Sequence, residues 1–267
     1  MTTQATPVRI HYTETLEPDD TVLLAFADAR GRRAIWGDLA DDDMSAGSTA
    51  TADDVFDVLL ADPSAVADIH DIWFGAGAAA LPVTVALRST TVAWRPGRAL
   101  LACEVTDREV LLAALVDFDF HARELEQLQR EVAAAWSTLD GDRRLAFRVA
   151  PDDLKHEAAI AARVDGAFER RIRFSRLAPG TWQPSPAVTG AGRRLGEELR
   201  ARAGIDDRAE ALDNDLEVFE HLYEMASQRM GEFRASHGEA RLEWVIIGLL
   251  VLETLALIVG MMWRPGV

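Results

Sequence analysis

The chain has 267 residues, 49% of them hydrophobic, so it is long enough to bury a substantial core in one or two domains. Its net charge of -16 excludes a protein that coats nucleic acid over its whole surface, and its single cysteine, Cys103, excludes an internal disulfide framework and any multi-cysteine zinc site. The opening residues lack the charged-then-apolar signature of a signal sequence and are too acidic for a transit peptide, so the N-terminal part is expected to stay in the cytoplasm.

Residues 21–27, TVLLAFA, are apolar strand formers, and a second run reaches Trp36 after a glycine-containing connection, which predicts a hairpin. Residues 38–54 are acidic and rich in Ser, Thr, Ala and Gly, a solvated loop in which Asp41, Asp42 and Asp43 lack the regular ligand spacing of a cation site. Residues 53–60 read as a short helix capped by Thr51 or Asp53. Two further strands are expected over 83–94 and 99–105, parted by Arg95-Pro96-Gly97-Arg98. Cys103 lies in an apolar run and reads as a small core residue.

The character changes at Thr106-Asp107, a plausible cap for a long helix. Leu111, Leu115, Phe118, Ala122, Leu125, Gln129, Val132 and Trp136 recur in alternating steps of four and three, a heptad seam. A second helix is predicted over 152–177, after which Pro179, Pro184 and Pro186 enforce a loop, and a third over 193–203 that stops at Gly204. The most regular pattern follows: Leu212, Leu216, Phe219, Tyr223, Ala226, Met230 and Phe233 keep the same spacing and continue through His237 and Ala240 to Trp244. No proline interrupts residues 205–263, so one continuous helix is expected, with a seam that seeks either the 111–136 helix or a second copy.

Residues 244–263, WVIIGLLVLETLALIVGMMW, are apolar or glycine at eighteen of twenty positions. At about 1.5 Å per residue they would reach roughly 30 Å, and they carry tryptophan at both ends with Arg241 and Arg264 outside, the pattern of a membrane span. The expected fold class is therefore α+β: a small N-terminal α+β domain over 1–105, a coiled-coil-like helical bundle over 106–243 and one C-terminal transmembrane helix over 244–263. A single-pass, tail-anchored protein of the inner or plasma membrane would follow, with its N-terminal body in the cytoplasm and Glu253 as an intramembrane polar residue needing a partner.

Few residue constellations suggest chemistry. In DFDFHARE, Asp117, His121 and Glu124 fall at i, i+4 and i+7 and share one helix face with a possible acid-base pair or metal site, although such a face is usually a solvated stripe. TGAGRRLG places Gly190, Gly192 and Gly196 at GxGxxxG spacing, without the preceding strand of a phosphate-binding turn, and GAGAAA at 75–80 has no Walker lysine beside it. No catalytic, metal or cofactor residue is assigned, and no small-molecule substrate is expected. Charge is more informative: residues 141–203 hold thirteen basic and eight acidic side chains within an acidic chain. Arg163, Arg170, Arg171, Arg173 and Arg176 fall within fourteen residues, a surface for anionic lipid headgroups, RNA or a ribosome unless the acids of 106–140 and 204–224 neutralise it.

The C-terminal block, with Arg193-Arg194-Leu195-Gly196-Glu197-Glu198-Leu199, Leu212-Asp213, Glu220, Tyr223, Arg229, Leu242-Glu243-Trp244-Val245-Ile246-Ile247 and Glu253, resembles the Required-for-Meiotic-nuclear-Division family. That resemblance implies a membrane-tethered, oligomeric, non-catalytic protein, in a family whose mitochondrial branch supports organellar translation. The function expected from the sequence is thus a scaffold or interaction protein that assembles with itself. The alternative is an enzyme using the Asp117, His121 and Glu124 face.

Overall fold

In a computed structural model, residues 5–26, 32–37, 54–75 and 81–262 are described, without the side chains of 65, 67, 68, 240, 241, 257 and 259–262. The acidic loop with Asp41, Asp42 and Asp43, and the glycines of residues 76–80, lie outside these residues.

Seven strands form one mixed sheet, in the order β2-β3-β1-β4-β7-β6-β5. They are β1 (Thr6–Thr13), β2 (Val22–Ala25), β3 (Arg33–Gly37), β4 (Val55–Ala61), β5 (Val83–Leu87), β6 (Thr90–Arg95) and β7 (Arg98–Ala102). All neighbours are antiparallel except β4 and β7, whose parallel pairing needs the crossover that carries α1 (Val66–Phe74) and the β5-β6 hairpin. The expected hairpin is the pair β2-β3. The turn Arg95-Pro96-Gly97-Arg98 joins β6 to β7, with Gly97 at φ 81, the backbone region that favours glycine.

Residues 53–60 are not a helix. Val55, Phe56, Val58, Leu59 and Leu60 instead form β4, between β1 and β7, with both faces covered. A strand in that position reads as a continuous apolar run, which mimics a buried helical turn in sequence. On one face Leu59, Ala61, Leu100 and Ala102 pack on Trp73 and Phe74 of α1. Here Arg98 lies over the Trp73 ring at 4.4 Å, and Asp57 accepts two hydrogen bonds from Arg9 at 2.8 and 3.1 Å. The other face, with Ile10, Tyr12, Phe56 and Trp94, carries α2: Tyr12 reaches Val116 and Asp119, and Trp94 meets the Phe118 ring edge-on at 4.7 Å.

Helix α2 (Arg108–Asp142) follows a 3-10 turn over Val105–Asp107, α3 is Glu157–Trp182, α4 is Gly190–Arg202, and α5 is Ile205–Met262, an unbroken helix of 58 residues. The uninterrupted α5 is as expected from its lack of proline. The loop predicted at Pro179 does not form there, because α3 continues through Pro179 to Trp182. Gly190 (φ 57), the first residue of α4, and Gly204 (φ 60), just past its end, lie in the left-handed region, Gly204 ending the helix as expected.

Two compact units divide the chain. The first is Met1–Ala134 with Arg170–Asp215, which holds the sheet and the adjoining helix segments; the second is Ala135–Glu169 with Leu216–Val267. The second unit has its own apolar cluster of Leu145, Ile160, Ala226 and Met230, with Val149 and Val164 packed against it. There Trp136 meets Phe219 edge-on at 5.0 Å, and the Tyr223 hydroxyl donates to Asp142 at 3.3 Å.

The membrane span expected over 244–263 is corrected: among the described residues, no helix is long and apolar enough to cross a membrane. Glu253 lies inside this segment and Glu243 directly before it, carboxylates that are costly in a hydrocarbon core. The single-pass, tail-anchored placement in an inner or plasma membrane falls with the span. The fold class is accordingly a seven-stranded mixed sheet with five helices among the described residues, without the third, transmembrane part.

Candidate functional site

Residues 111–122 of α2 are buried almost without interruption, so this stretch is covered on all sides. Asp117, Asp119 and His121 lie inside it, each at most 3% exposed. A carboxylate so placed costs several kcal/mol in order-of-magnitude terms unless donors surround it. Both have such donors.

Asp117 faces α4 and the end of α3. Its Oδ2 accepts from Arg200 Nη2 at 2.8 Å and from the Ser185 backbone N–H at 3.2 Å, while Oδ1 has no hydrogen-bond partner. The guanidinium of Arg200 is held on every side: Nε and Nη2 donate to the Gly180 carbonyl at 3.2 and 2.8 Å, and Nη1 to the Gly196 carbonyl at 3.1 Å. His121 Nδ1 lies 2.7 Å from the Asp117 carbonyl oxygen and 3.5 Å from Oδ1. Its ring is wedged by Phe26 and Phe120, both edge-on, and by Gly180, where an added Cβ would stand 1.9 Å from Nε2.

Asp119 faces the sheet. It accepts from Trp94 Nε1 at 2.8 Å, from the Tyr12 hydroxyl at 3.0 Å and from the Gly97 N–H at 3.3 Å, with Arg123 at 3.5 Å. Burial pushes its carboxyl above the usual range, against the lowering effects of Arg123 and these three donors. Burial, and then the neighbouring Asp119 charge, push the Tyr12 phenol well above its ordinary value.

Glu124 leaves this core. It binds Arg32 at 3.1 Å and lies 3.9 Å from Arg173, so the helix face shared by Asp117, His121 and Glu124 is split between a buried pair and a partly exposed ion network. Among the described residues, no group of three or more His, Cys, Asp or Glu side chains is placed to hold a metal ion. Tyr12, Trp94, Gly180 and Arg200 complete the buried polar cluster and were not legible as partners, because 20 to 107 residues separate the bonded groups. The signal that was present is the apolar run around the acids: Val116, Phe118 and Phe120 alternate with Asp117 and Asp119, leaving no solvated side.

The glycines of TGAGRRLG serve close packing. A Cβ on Gly192 would stand 2.6 Å from the Val110 carbonyl, and one on Gly196 would stand 3.0 Å from the Pro184 ring. Cys103 is free and buried, and burial raises its thiol.

The arginine island is dispersed among acids. In the first unit Arg173 donates to both oxygens of Glu131 at 2.7 and 2.9 Å, and Arg171 pairs with Asp213. In the second unit Arg163 contacts both oxygens of Asp142 at 2.6 Å. Arg170 is half-buried and Arg176 exposed. The expected self-association seam is also placed: Leu212, Leu216, Phe219, Tyr223, Ala226 and Met230 are buried within the chain itself, and Phe233 is half-buried beside His237.

Beyond that seam α5 changes. Leu242, Trp244, Val245, Ile246, Ile247, Leu249, Leu250, Val251, Leu252, Leu255 and Ile258 are all between 49% and 73% exposed, and Glu253 is exposed among them. Nothing else on the described surface gathers large apolar side chains at this density.

No protein-family model matches the chain, and no curated protein matches it. A solved structure of the full-length CmaX protein aligns over 100% of this chain and 89% of that one, at 10% identity and a TM-score of 0.42.

Proposed function

We propose that this chain is an interaction protein without catalytic activity, whose working surface is the C-terminal end of α5. The observation that carries the reading is the row of eleven large apolar side chains at 242–258, each about half or more in water. Contiguous apolar surface beyond a few hundred Å² marks an interaction site in soluble folds. Support comes also from the buried acids: Asp119 and one oxygen of Asp117 are committed to donors within the core, and Glu124 to Arg32. The likeness of the 193–253 block to the Required-for-Meiotic-nuclear-Division family, non-catalytic and oligomeric, points the same way.

The test is the variant Leu249→Gln, Leu250→Gln, Leu252→Gln in the full chain. These side chains are exposed, so folding stability should change by only about 0.5 kcal/mol per site. In cell extracts crosslinked before native electrophoresis, the unaltered chain should migrate in complexes and the variant as the free chain. Complexes that persist unchanged in the variant would remove the α5 end as the working surface.

A further inference from the structure

We propose that the connection between α2 and α3 is a second docking surface, where Phe147 enters an apolar pocket of a partner protein and Arg143 and Arg148 meet carboxylates on that pocket's rim. This surface is independent of the α5 end, and either can fail without the other.

The connection turns Phe147 outward. The Phe147 and Arg148 N–H groups both donate to the Arg144 carbonyl, at 3.1 and 2.8 Å, which winds the backbone tightly. Leu145 and Ala146 take the inward positions, Leu145 within the cluster of Ile160, Ala226 and Met230. Phe147 is left 71% exposed, whereas seven of the chain's ten phenylalanines are at most 4% exposed, so it departs from how this fold treats the side chain. The connection is also held still. Arg144 binds both oxygens of Asp153, and Asp153 accepts from the Ala150 N–H at 2.8 Å as well. An anchor fixed before binding loses little freedom when a partner closes on it.

The nearby acids are engaged elsewhere: Asp142 with Arg163, Asp153 with Arg144, Asp152 with Lys155 and Glu157 with Arg234. Asp140 is exposed and bonds neither remaining cation. Among the described residues the guanidinium groups of Arg143 and Arg148 have no hydrogen-bond or ion-pair partner, and both side chains are exposed on either side of Phe147.

Shape and charge select the kind of partner. A ring so exposed lines no concave small-molecule site. RNA or an anionic bilayer presents an extended negative surface, which meets the field of a chain at -16 as well as these two arginines. A pocket with one or two carboxylates meets only the local pair, because charge farther than about 8 Å is screened at physiological salt. Aromatic and arginine side chains on a fixed frame are also what binding hot spots are made of.

The experiment places a photo-crosslinking phenylalanine analogue at Phe147 of the full chain in its host cells, with the same analogue at Ala158, exposed on α3, as the control. Irradiation should join the first site, and not the second, to a protein segment that carries acidic side chains beside apolar ones. A synthetic peptide of that segment should bind the purified chain, and more weakly as salt rises. Phe147→Ala should weaken this binding by roughly thirtyfold or more, and Arg143→Gln or Arg148→Gln by about tenfold each, with the melting temperature nearly unchanged because all three side chains are exposed. Adducts with nucleic acid, with lipid, with a second copy of this chain, with a segment lacking acids or with nothing would overturn the proposal. So would equal adducts from Ala158, or a peptide that fails to bind the purified chain or binds the three variants as tightly.

Discussion

At Gly180 a hydrogen is all that separates the end of α3 from the imidazole of His121, since a Cβ there would lie 1.9 Å from Nε2. The ring has little room to retreat, with Phe26 and Phe120 edge-on to it and its Nδ1 tied to the Asp117 carbonyl. Gly180→Ala should therefore cost roughly 1–3 kcal/mol in urea unfolding, and less when combined with His121→Ala, a coupling that a double-mutant cycle would measure. Asp119 allows a second prediction with a definite sign. Because burial raises its carboxyl in the folded state, the stability it contributes is complete below the ordinary carboxylate value of about 4 and is lost as pH rises through the raised one. Asp119→Asn keeps an acceptor for Trp94 and cannot ionise, so stability over that interval should depend less on pH than in the unaltered chain. Asp119→Ala instead strands the Trp94 N–H, at roughly 1–3 kcal/mol. An Asn variant whose pH slope matched that of the unaltered chain would refute this account of Asp119.

At the scale of elements, what repeats was legible and what crosses the sheet was not. The 4-3 spacing of Leu212 to Met230 identified an apolar helix face correctly, and the lack of proline gave α5 its full length. Periodicity shows that a face must be covered without showing by what, and burial within the chain settles this for most of the seam. Replacement of Phe219 is accordingly a folding mutation: Phe219→Ala should cost about 3–5 kcal/mol, visible as a large fall in melting temperature, where a surface side chain would alter only mass. Strand β4 was misread because a central strand covered on both faces loses its alternation. Helix α3 was cut short at Pro179 because a proline's cost to a helix is weighed against the packing around it, and the residues on either side, Leu177, Ala178, Gly180 and Thr181, are buried. The Asp117-His121 pair was visible as an i, i+4 spacing, while its partner Arg200 is 83 residues from Asp117 and nothing local announces it.

For the whole molecule, charge and apolar surface predict opposite responses to salt. A net charge of -16 makes copies repel one another, whereas apolar surface such as the exposed end of α5 would draw copies together. Raising ionic strength screens the repulsion and leaves apolar association intact, so self-association should strengthen with salt. Binding of RNA through the arginines would weaken instead, and the pairing of Arg163, Arg171 and Arg173 with Asp142, Asp213 and Glu131 leaves that route little free charge. The most direct measurement is sedimentation equilibrium of the full chain over a range of concentration and salt, beside the Leu249→Gln, Leu250→Gln, Leu252→Gln variant. The account predicts a mass that rises from 29.3 kDa to a whole multiple of it with concentration, more readily at high salt, and a variant that stays at 29.3 kDa. A mass of 29.3 kDa for the unaltered chain under every condition, or an equal rise in the variant, would contradict it.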